Sequence, residues 1–216
     1  MSFSLNEIES MSKKAARGAG LSWGMAEEAG KATRWLTSHG LAGGELLADL
    51  LVQNDQLAHD QVAPVSVDGV WQGCAGPLCP LVCGAALNDC AGSKLALQPV
   101  EMAGISHPLL VVPFAAWAAI HIKSPVSVSW KSARIETDGF GIWLEDPEGE
   151  IAVTSPVSLT CRRAEPRDDR AAAPSVRGDV SAQAWQKLGE FAHRTYARAT
   201  EESRMRGAGA GTTDND

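Results

Sequence analysis

Four cysteines lie within one short segment, CAGPLCPLVCGAALNDC, at Cys74, Cys79, Cys83 and Cys90. Clusters of thiolates ligate zinc or iron, but the intervals here are five, four and seven residues. Structural zinc sites favour cysteines about two to four residues apart, and iron–sulfur sites keep at least one C-x2-C pair. The spacing therefore predicts no metal site. The intervening Leu, Val, Ala and Pro favour thiols that pack as small apolar side chains.

A catalytic thiol is the alternative interpretation of this segment. Cys79 and Cys83 precede GAALND, and a helix that starts there would lower the pKa of a nearby thiol through its dipole. Asp89 ends the segment and is placed to orient a partner side chain. His107 and His121 are the nearest histidines, and a nucleophilic thiol needs a base close in space. The candidate catalytic residues are Cys79, Cys83, Asp89 and His107, with buried packing of the thiols as the alternative.

The last residues, SRMRGAGAGTTDND at 203–216, suggest an anion site. Alternating glycines let successive N–H groups converge on an anion, and guanidinium groups fit carboxylates and phosphates. The tetrad RGAG also stands at 17–20, and the two copies are predicted to lie close together. The alternative is a glycine cap followed by an acidic chain end. The candidate ligand-binding residues are Arg17, Arg204, Arg206, Gly207, Gly209 and Gly211.

Composition limits the partners of the chain. The 216 residues carry a formal net charge of -7, which argues against nucleic acid because phosphate-backbone binding needs a basic surface. The longest apolar run, PLLVVPFAAWAAI at 108–120, is broken by prolines and is too short to cross a membrane. The start, MSFSLNEIES, contains no secretion signal, and five cysteines are an odd number. We expect a cytoplasmic protein with reduced thiols and no membrane partner.

The first part of the chain has helical periodicity. Ser4 followed by Glu7 predicts a capping box, and the following apolar residues recur at intervals of three and four. A second helix is predicted after the cap Ser22, with Gly40 as its left-handed C-terminal residue. GELLADLLVQ predicts a third, shorter helix at 44–53. Residues 1–58 are therefore expected to form a helical N-terminal layer.

Residues 64–162 change to short Val-, Ile- and Trp-rich runs separated by Pro, Gly and Asp. They include PVSVDGVW, PLLVVP, VSVSW, FGIWLE and VSLTC, and they are predicted to form a largely antiparallel sheet. Asp138 and Gly139 in ETDGFG predict a hairpin.

A charged linker is predicted at 162–179, followed by a long helix with Trp185 and Leu188 on its apolar face that ends near Ser203. The expected fold is α+β, with the helical layer and the C-terminal helix packed on the sheet. The predicted parts of one compact unit are 1–58, 59–163 and 164–216.

Three segments carry a resemblance to a known family: the start through TSHGL, GPLCPLVCGAALND, and SRMRGAGAGTTDND. Together they resemble a bacterial family catalogued only as a domain of unknown function. The resemblance extends over nearly the whole chain and implies a free-standing cytoplasmic protein. It implies no catalytic residues.

Two functions are consistent with these observations. The first is a small cytoplasmic enzyme that acts on a small anionic metabolite such as an amino, hydroxy or keto acid, because the chain has a candidate anion clamp and a candidate thiol. The second is a non-catalytic accessory subunit or small-molecule binding module that completes a partner enzyme, because no recognised catalytic signature is present. A homo-oligomer or a subunit of a hetero-complex is expected in either case. The sequence indicates no particular cofactor.

Overall fold

The computed structural model of the protein describes residues 1–169, 171 and 174–196. Its fold is α+β, as predicted. The helices are α1 (Leu5–Gly18), α2 (Trp23–Ser38), α3 (Gly43–Gln53), α4 (His59–Val62), α5 (Pro80–Asp89), α6 (Val112–Ile122) and α7 (Ala182–His193), with a 3-10 helix at Pro108–Val111. The strands are β1 (Ser2–Ser4), β2 (Val100–Ile105), β3 (Val126–Trp130), β4 (Ala133–Thr137), β5 (Ile142–Glu145), β6 (Val157–Arg163) and β7 (Arg177–Asp179).

Five strands form one antiparallel sheet in the order β2-β6-β3-β4-β5. Val128 of β3 pairs with Ile135 on one side and with Cys161 on the other, and all three are buried. Because side chains alternate along a strand, the next row of the sheet faces the opposite way. The inner face therefore joins the core, and the outer face carries polar residues.

The predicted helical layer is confirmed. Ser4 and Glu7 form the capping box of α1, and the Ser22 hydroxyl accepts the N–H of Met25 at the start of α2. Gly40 has a φ of 73°, the left-handed conformation expected after a helix end. Helices α1, α2, α3 and α7 pack side by side. The side-chain caps of α1 and α2 and the apolar residues of α1, α2 and α3 are readable in the sequence.

The middle of the chain contains two helices that the sequence analysis placed in the sheet. Residues 108–113 were predicted as a strand, but they form the 3-10 helix and the first turn of α6. Pro108 and Pro113 each lie in the first turn of a helix, where the missing N–H has no hydrogen bond to lose. Helix α6 is buried on almost every side, so it lacks the polar stripe that reveals a surface helix. None of the helices in the described part of the chain has both the length and the apolar composition to cross a bilayer.

The predicted linker at 162–179 is partly wrong. Strand β6 extends through Arg163, and Ala164 continues its pairing by donating its N–H to the carbonyl of Pro125. Residues 177–179 form β7, which pairs antiparallel with β1 at the other end of the chain. Helix α7 ends at His193, well before the predicted end at Ser203. The division of the chain into the parts 1–58, 59–163 and 164–216 stays a prediction.

Ion pairs join helices of the N-terminal layer to their neighbours, and two of them shift the pKa of a carboxylate. Lys13 of α1 lies 2.5 Å from Glu27 of α2, and Arg194 after α7 lies 2.6 Å from Asp55 after α3. Hydrogen bonds from these cations lower the pKa of Glu27 below its usual 4.5 and the pKa of Asp55 below its usual 3.8. These two carboxylates therefore bind a proton less readily in the folded protein than in the unfolded chain.

We expect acid to destabilise the fold through these carboxylates. Because their pKa values are lower in the folded state, their contribution is fully present above the unfolded values and is lost as pH falls below about 4. The urea midpoint should stay level between about pH 7 and 5.5 and fall below about pH 4.5. The variant Asp55→Asn should show a smaller fall than the wild type. A wild-type midpoint unchanged between neutral pH and pH 3 would contradict this expectation.

Candidate anion-binding site

The outer face of the sheet carries a cross-strand row of polar residues. Ser127 of β3 pairs with Glu136 of β4 on one side and with Arg162 of β6 on the other. The alternation VSVSW in β3 directs Val126 and Val128 to the core, and Ser127 takes the other face. The β3–β4 hairpin and the later strand β6 therefore bring these polar side chains into one row.

Glu136 lies at the centre of this face and is only 9% exposed. Its Oε1 lies 2.6 Å from Nη2 of Arg134, and its Oε2 lies 3.3 Å from Nη1 of Arg167. Nε of Arg134 also donates to the hydroxyl of Ser127 at 3.0 Å. A buried carboxylate is stable only when it is paired and hydrogen-bonded, and two guanidinium groups meet that requirement. Glu136 therefore holds the two arginines in fixed positions.

Arg167 fixes the chain that follows β6 against the sheet. Its Nε and Nη2 donate to the two carboxylate oxygens of Asp169 at 2.9 and 3.3 Å, and its guanidinium lies 5.6 Å from the ring centre of Trp143. The hydrogen bonds that Arg167 donates lower the pKa of Asp169. The bonds to Asp169, together with the one that Glu136 accepts, raise the pKa of Arg167. Nε1 of Trp143 donates to the carbonyl of Asp169 at 3.2 Å. Residues 164–169 are thereby held against the outer face.

A cavity of about 340 Å³ lies beside this network, and we call it the arginine pocket. Its charged lining residues are four arginines and two glutamates: Arg134, Glu136, Arg162, Arg163, Glu165 and Arg167. Within the described residues, Arg162 and Arg163 have no carboxylate in ion-pair distance, whereas Arg134 and Arg167 do. Arg163 donates from Nε to the hydroxyl of Ser124 at 3.2 Å. The pocket is a locally cationic surface in a chain whose formal net charge is -7.

The chemistry available in the arginine pocket is electrostatic. Guanidinium groups bind carboxylates and phosphates through paired N–H donors. The described residues that line the pocket include no hydroxyl, thiol or imidazole side chain. Glu136 already accepts from two arginines, so it is not free to act as a base. The arrangement suits the binding of an anion, and Glu165 is the second carboxylate of its lining.

The two thiols predicted to be catalytic are buried. Cys79 is the N-cap residue of α5, and Cys83 lies within its first turns. Burial raises the pKa of Cys79, and the N–H groups of Val82 and Leu81 oppose this shift without reversing it. Burial also raises the pKa of Cys83. The predicted lowering of a thiol pKa by the helix dipole is wrong, because desolvation of the thiolate outweighs the dipole.

Thiol reactivity should follow this burial. Cys74 is exposed, Cys90 is half-buried, and Cys79, Cys83 and Cys161 are buried. We expect iodoacetamide to alkylate Cys74 first, Cys90 more slowly, and the three buried thiols only when urea unfolds the chain. Peptide mass spectrometry after timed quenching measures the order. Rapid alkylation of Cys79 in the folded protein would restore it as a candidate nucleophile.

Asp89 lies far from Cys79 along α5, and His107 pairs with a carboxylate of α3. Asp89 is the last residue of α5, while Cys79 precedes its first, and a helix of this length separates them by about 15 Å. His107 is buried in a left-handed conformation, and its Nε2 lies 2.9 Å from Oδ2 of Asp49. Its Nδ1 is buried and has no hydrogen-bond partner among the described residues. The carboxylate that orients His107 is therefore Asp49, and a role for His107 as a base stays a prediction.

The predicted tail site falls largely outside the described residues. This applies to Arg204, Arg206, Gly207, Gly209 and Gly211, and to the predicted proximity of the two RGAG segments.

Arg17 is described, in the last turn of α1. Its Nη1 donates to the carbonyl of Leu21 at 2.7 Å, and its guanidinium lies 5.1 Å from the ring centre of Trp23. Arg17 therefore connects the end of α1 to the start of α2, and its role in an anion clamp stays a prediction.

Comparison with protein families confirms the resemblance noted from the sequence. Residues 3–76 match the family described as "Protein of unknown function (DUF3726)". The match spans β1 to α4 and ends before the five-stranded sheet, so it covers less of the chain than the resemblance implied. No curated protein and no solved structure matches the chain. The arginine pocket lies beyond the matched segment.

The residues of the arginine pocket were not predicted from the sequence. Arg162, Arg163 and Arg167 were assigned to a linker without a motif. The alternation in VSLTCRR extends through Arg162, so it could have placed that residue on the outer face at the end of a strand. No local signal connects these arginines to Arg134, because that contact depends on the register of β3 with both neighbours.

Proposed function

We propose that the protein binds a small organic anion in the arginine pocket and acts as a small-molecule binding module. The observation that supports this proposal is the pair Arg162 and Arg163 at the rim of a cavity whose other arginines already have carboxylate partners. Arg162 lies on the outer face and Arg163, the next residue of β6, takes the other side of the strand, so the two guanidinium groups would reach an anion at the end of β6 from different directions. The proposed ligand is therefore a counter-ion for these two side chains.

The ligand class follows from the size and charge of the pocket. A volume of about 340 Å³ is at the lower end of small-molecule sites and accommodates a metabolite of a few carbon atoms. Each guanidinium can donate two parallel hydrogen bonds to one carboxylate. Amino, hydroxy and keto acids with two carboxylates match both requirements. The Arg134–Glu136–Arg167 network forms a wall that needs no rearrangement when the ligand binds.

An accessory subunit fits this site better than a self-sufficient enzyme. The described lining supplies charge and shape but no hydroxyl, thiol or imidazole side chain, so catalysis on a bound acid would draw on Glu165 or on groups from a partner protein or a cofactor. The enzyme hypothesis predicts turnover of the same ligand class by the purified chain alone. A cytoplasmic location and an oligomeric assembly remain parts of the proposal.

Thermal-shift measurements test the proposal. The probes are glutamate, malate and 2-oxoglutarate, with neutral succinamide as the matched control and KCl at equal ionic strength. A ligand at 100 times its Kd stabilises the folded state by about 2.7 kcal/mol, which corresponds to a rise in Tm of about 5–10 °C for a chain of this size. We expect at least one dicarboxylate to raise Tm well above succinamide and KCl. Equal Tm values for all of these additions would contradict the proposal.

Two further measurements distinguish a binding module from an enzyme and from an accessory subunit. Proton NMR of the same mixtures detects turnover, which would favour an enzyme over a binding module. Light scattering gives the mass in solution, and co-purification of one fixed partner would favour the accessory subunit.

A further inference from the structure

A second cavity, of about 450 Å³, lies where α1, α2 and α6 meet residues 174 and 175. Two tryptophans line it, Trp35 of α2 and Trp117 of α6, and we call it the tryptophan cavity. Its charged lining residues are Glu9, Lys31 and Arg34. It shares no residue with the arginine pocket. The two cavities are therefore independent candidates for ligand binding.

Neighbouring rings support both indoles. The ring of His39 lies against Trp35, with centroids 4.1 Å apart and planes tilted by 34°. Phe114 meets Trp117 edge to face, with centroids 4.9 Å apart. Both tryptophans are half-buried, so each keeps part of its surface accessible. Flat aromatic surfaces that are already held in place bind a planar ligand with little loss of side-chain entropy.

The charged groups of this cavity favour an anionic ligand. Arg34 pairs with Glu9 at 2.7 Å, and Lys31 pairs with Glu28 at 2.9 Å. The Arg34 side chain is 44% exposed and that of Glu9 is 33% exposed. Exposed ion pairs contribute little to stability, so a ligand carboxylate can take the place of Glu9 on Arg34. Each lining cation already has a carboxylate partner, so binding of an anion here means exchange of Glu9 for the ligand on Arg34.

We infer that the tryptophan cavity binds a planar aromatic carboxylate. The ring of the ligand lies against Trp35 and Trp117, and its carboxylate accepts hydrogen bonds from Arg34. An aliphatic acid lacks the stacking surface, and a neutral aromatic lacks the charge. Only a ligand with both properties uses all the groups that the cavity offers.

Three probes of similar size test this inference through tryptophan fluorescence. Benzoate has the ring and the charge, benzamide has only the ring, and cyclohexanecarboxylate has only the charge. We expect benzoate to bind about tenfold more tightly than either of the others, as the loss of one charge-assisted contact predicts. Equal affinities for the three probes would overturn the inference.

Single substitutions test whether benzoate binds in the tryptophan cavity. Arg34→Gln should weaken benzoate binding about tenfold and bring it to the level of benzamide. Arg194→Gln is the matched control, because Arg194 also pairs with a carboxylate and the two arginines have similar exposures of 47% and 44%. The control should bind benzoate as the wild type does, and so should Arg162→Ala, which alters only the arginine pocket. Unchanged benzoate binding by Arg34→Gln would overturn the inference and leave the proposed function untouched.

Discussion

Replacing Arg162 and Arg163 together with alanine should weaken dicarboxylate binding about 100-fold or more. Each arginine is expected to donate charge-assisted hydrogen bonds to the ligand, and the loss of one such contact lowers affinity by about 1.5–3 kcal/mol. The backbone of β6 should be unaffected, because both side chains are exposed. The measurement is isothermal titration calorimetry with the dicarboxylate that raises Tm most.

The control for this double variant is Lys131→Ala combined with Arg194→Ala. It removes the same amount of charge, and each side chain pairs with a carboxylate elsewhere on the surface. We expect the control to keep the wild-type affinity within about threefold, because exposed charges at a distance are screened by salt. Equal losses of affinity in the two double variants would show that net charge, and not the arginine pocket, determines binding.

The substitution Gly18→Ala is expected to cause a large loss of stability at the contact between α1 and α7. A Cβ atom on Gly18 would lie 1.9 Å from the carbonyl oxygen of Phe191, which belongs to the backbone of α7. No side-chain rotation relieves this overlap, so Gly18→Ala must move α7 and expose part of its apolar face, which contains Leu188 and Phe191. We expect a loss of about 3 kcal/mol in the free energy of unfolding and a fall in Tm of about 6–12 °C.

Gly189→Ala provides the matched comparison within α7. A Cβ atom there has no heavy atom within 4 Å, so the change should be neutral or stabilise the helix by up to about 1 kcal/mol. Urea titrations of both variants give the two free energies of unfolding. Equal stabilities for the variants would contradict the close approach of α1 and α7.

The sequence predicted those elements whose signals are local. The Ser4–Glu7 capping box, the cap at Ser22 and the hairpin at Asp138–Gly139 each depend on a few neighbouring residues, and all three are present. Helix α6 was missed because its residues are apolar on every side, and a short apolar run does not distinguish a buried helix from a strand. The pairing of β1 with β7 was missed because these strands are short and lie at opposite ends of the chain.

The sequence did not indicate the location of the arginine pocket, and anion binding by the protein stays a prediction. An anion clamp made of arginines was expected in the tail, where glycines and arginines alternate, and that segment lies outside the described residues. The arginine pocket combines β4, the end of β6 and the chain after it, which are joined by sheet register and by Glu136. Register depends on the packing of the whole sheet, so single-sequence patterns do not reveal which arginines meet.

Arginine footprinting tests the central claim most directly. Phenylglyoxal modifies accessible guanidinium groups, and peptide mass spectrometry identifies the modified residues with and without the bound dicarboxylate. We predict that the ligand slows modification of Arg162 and Arg163 by at least about fivefold at saturation, as occupancy near 90% requires. Modification of Arg194 and Arg34 should proceed at the same rate in both samples. Unchanged modification of Arg162 and Arg163 at a ligand concentration that saturates the calorimetric signal would contradict anion binding in the arginine pocket.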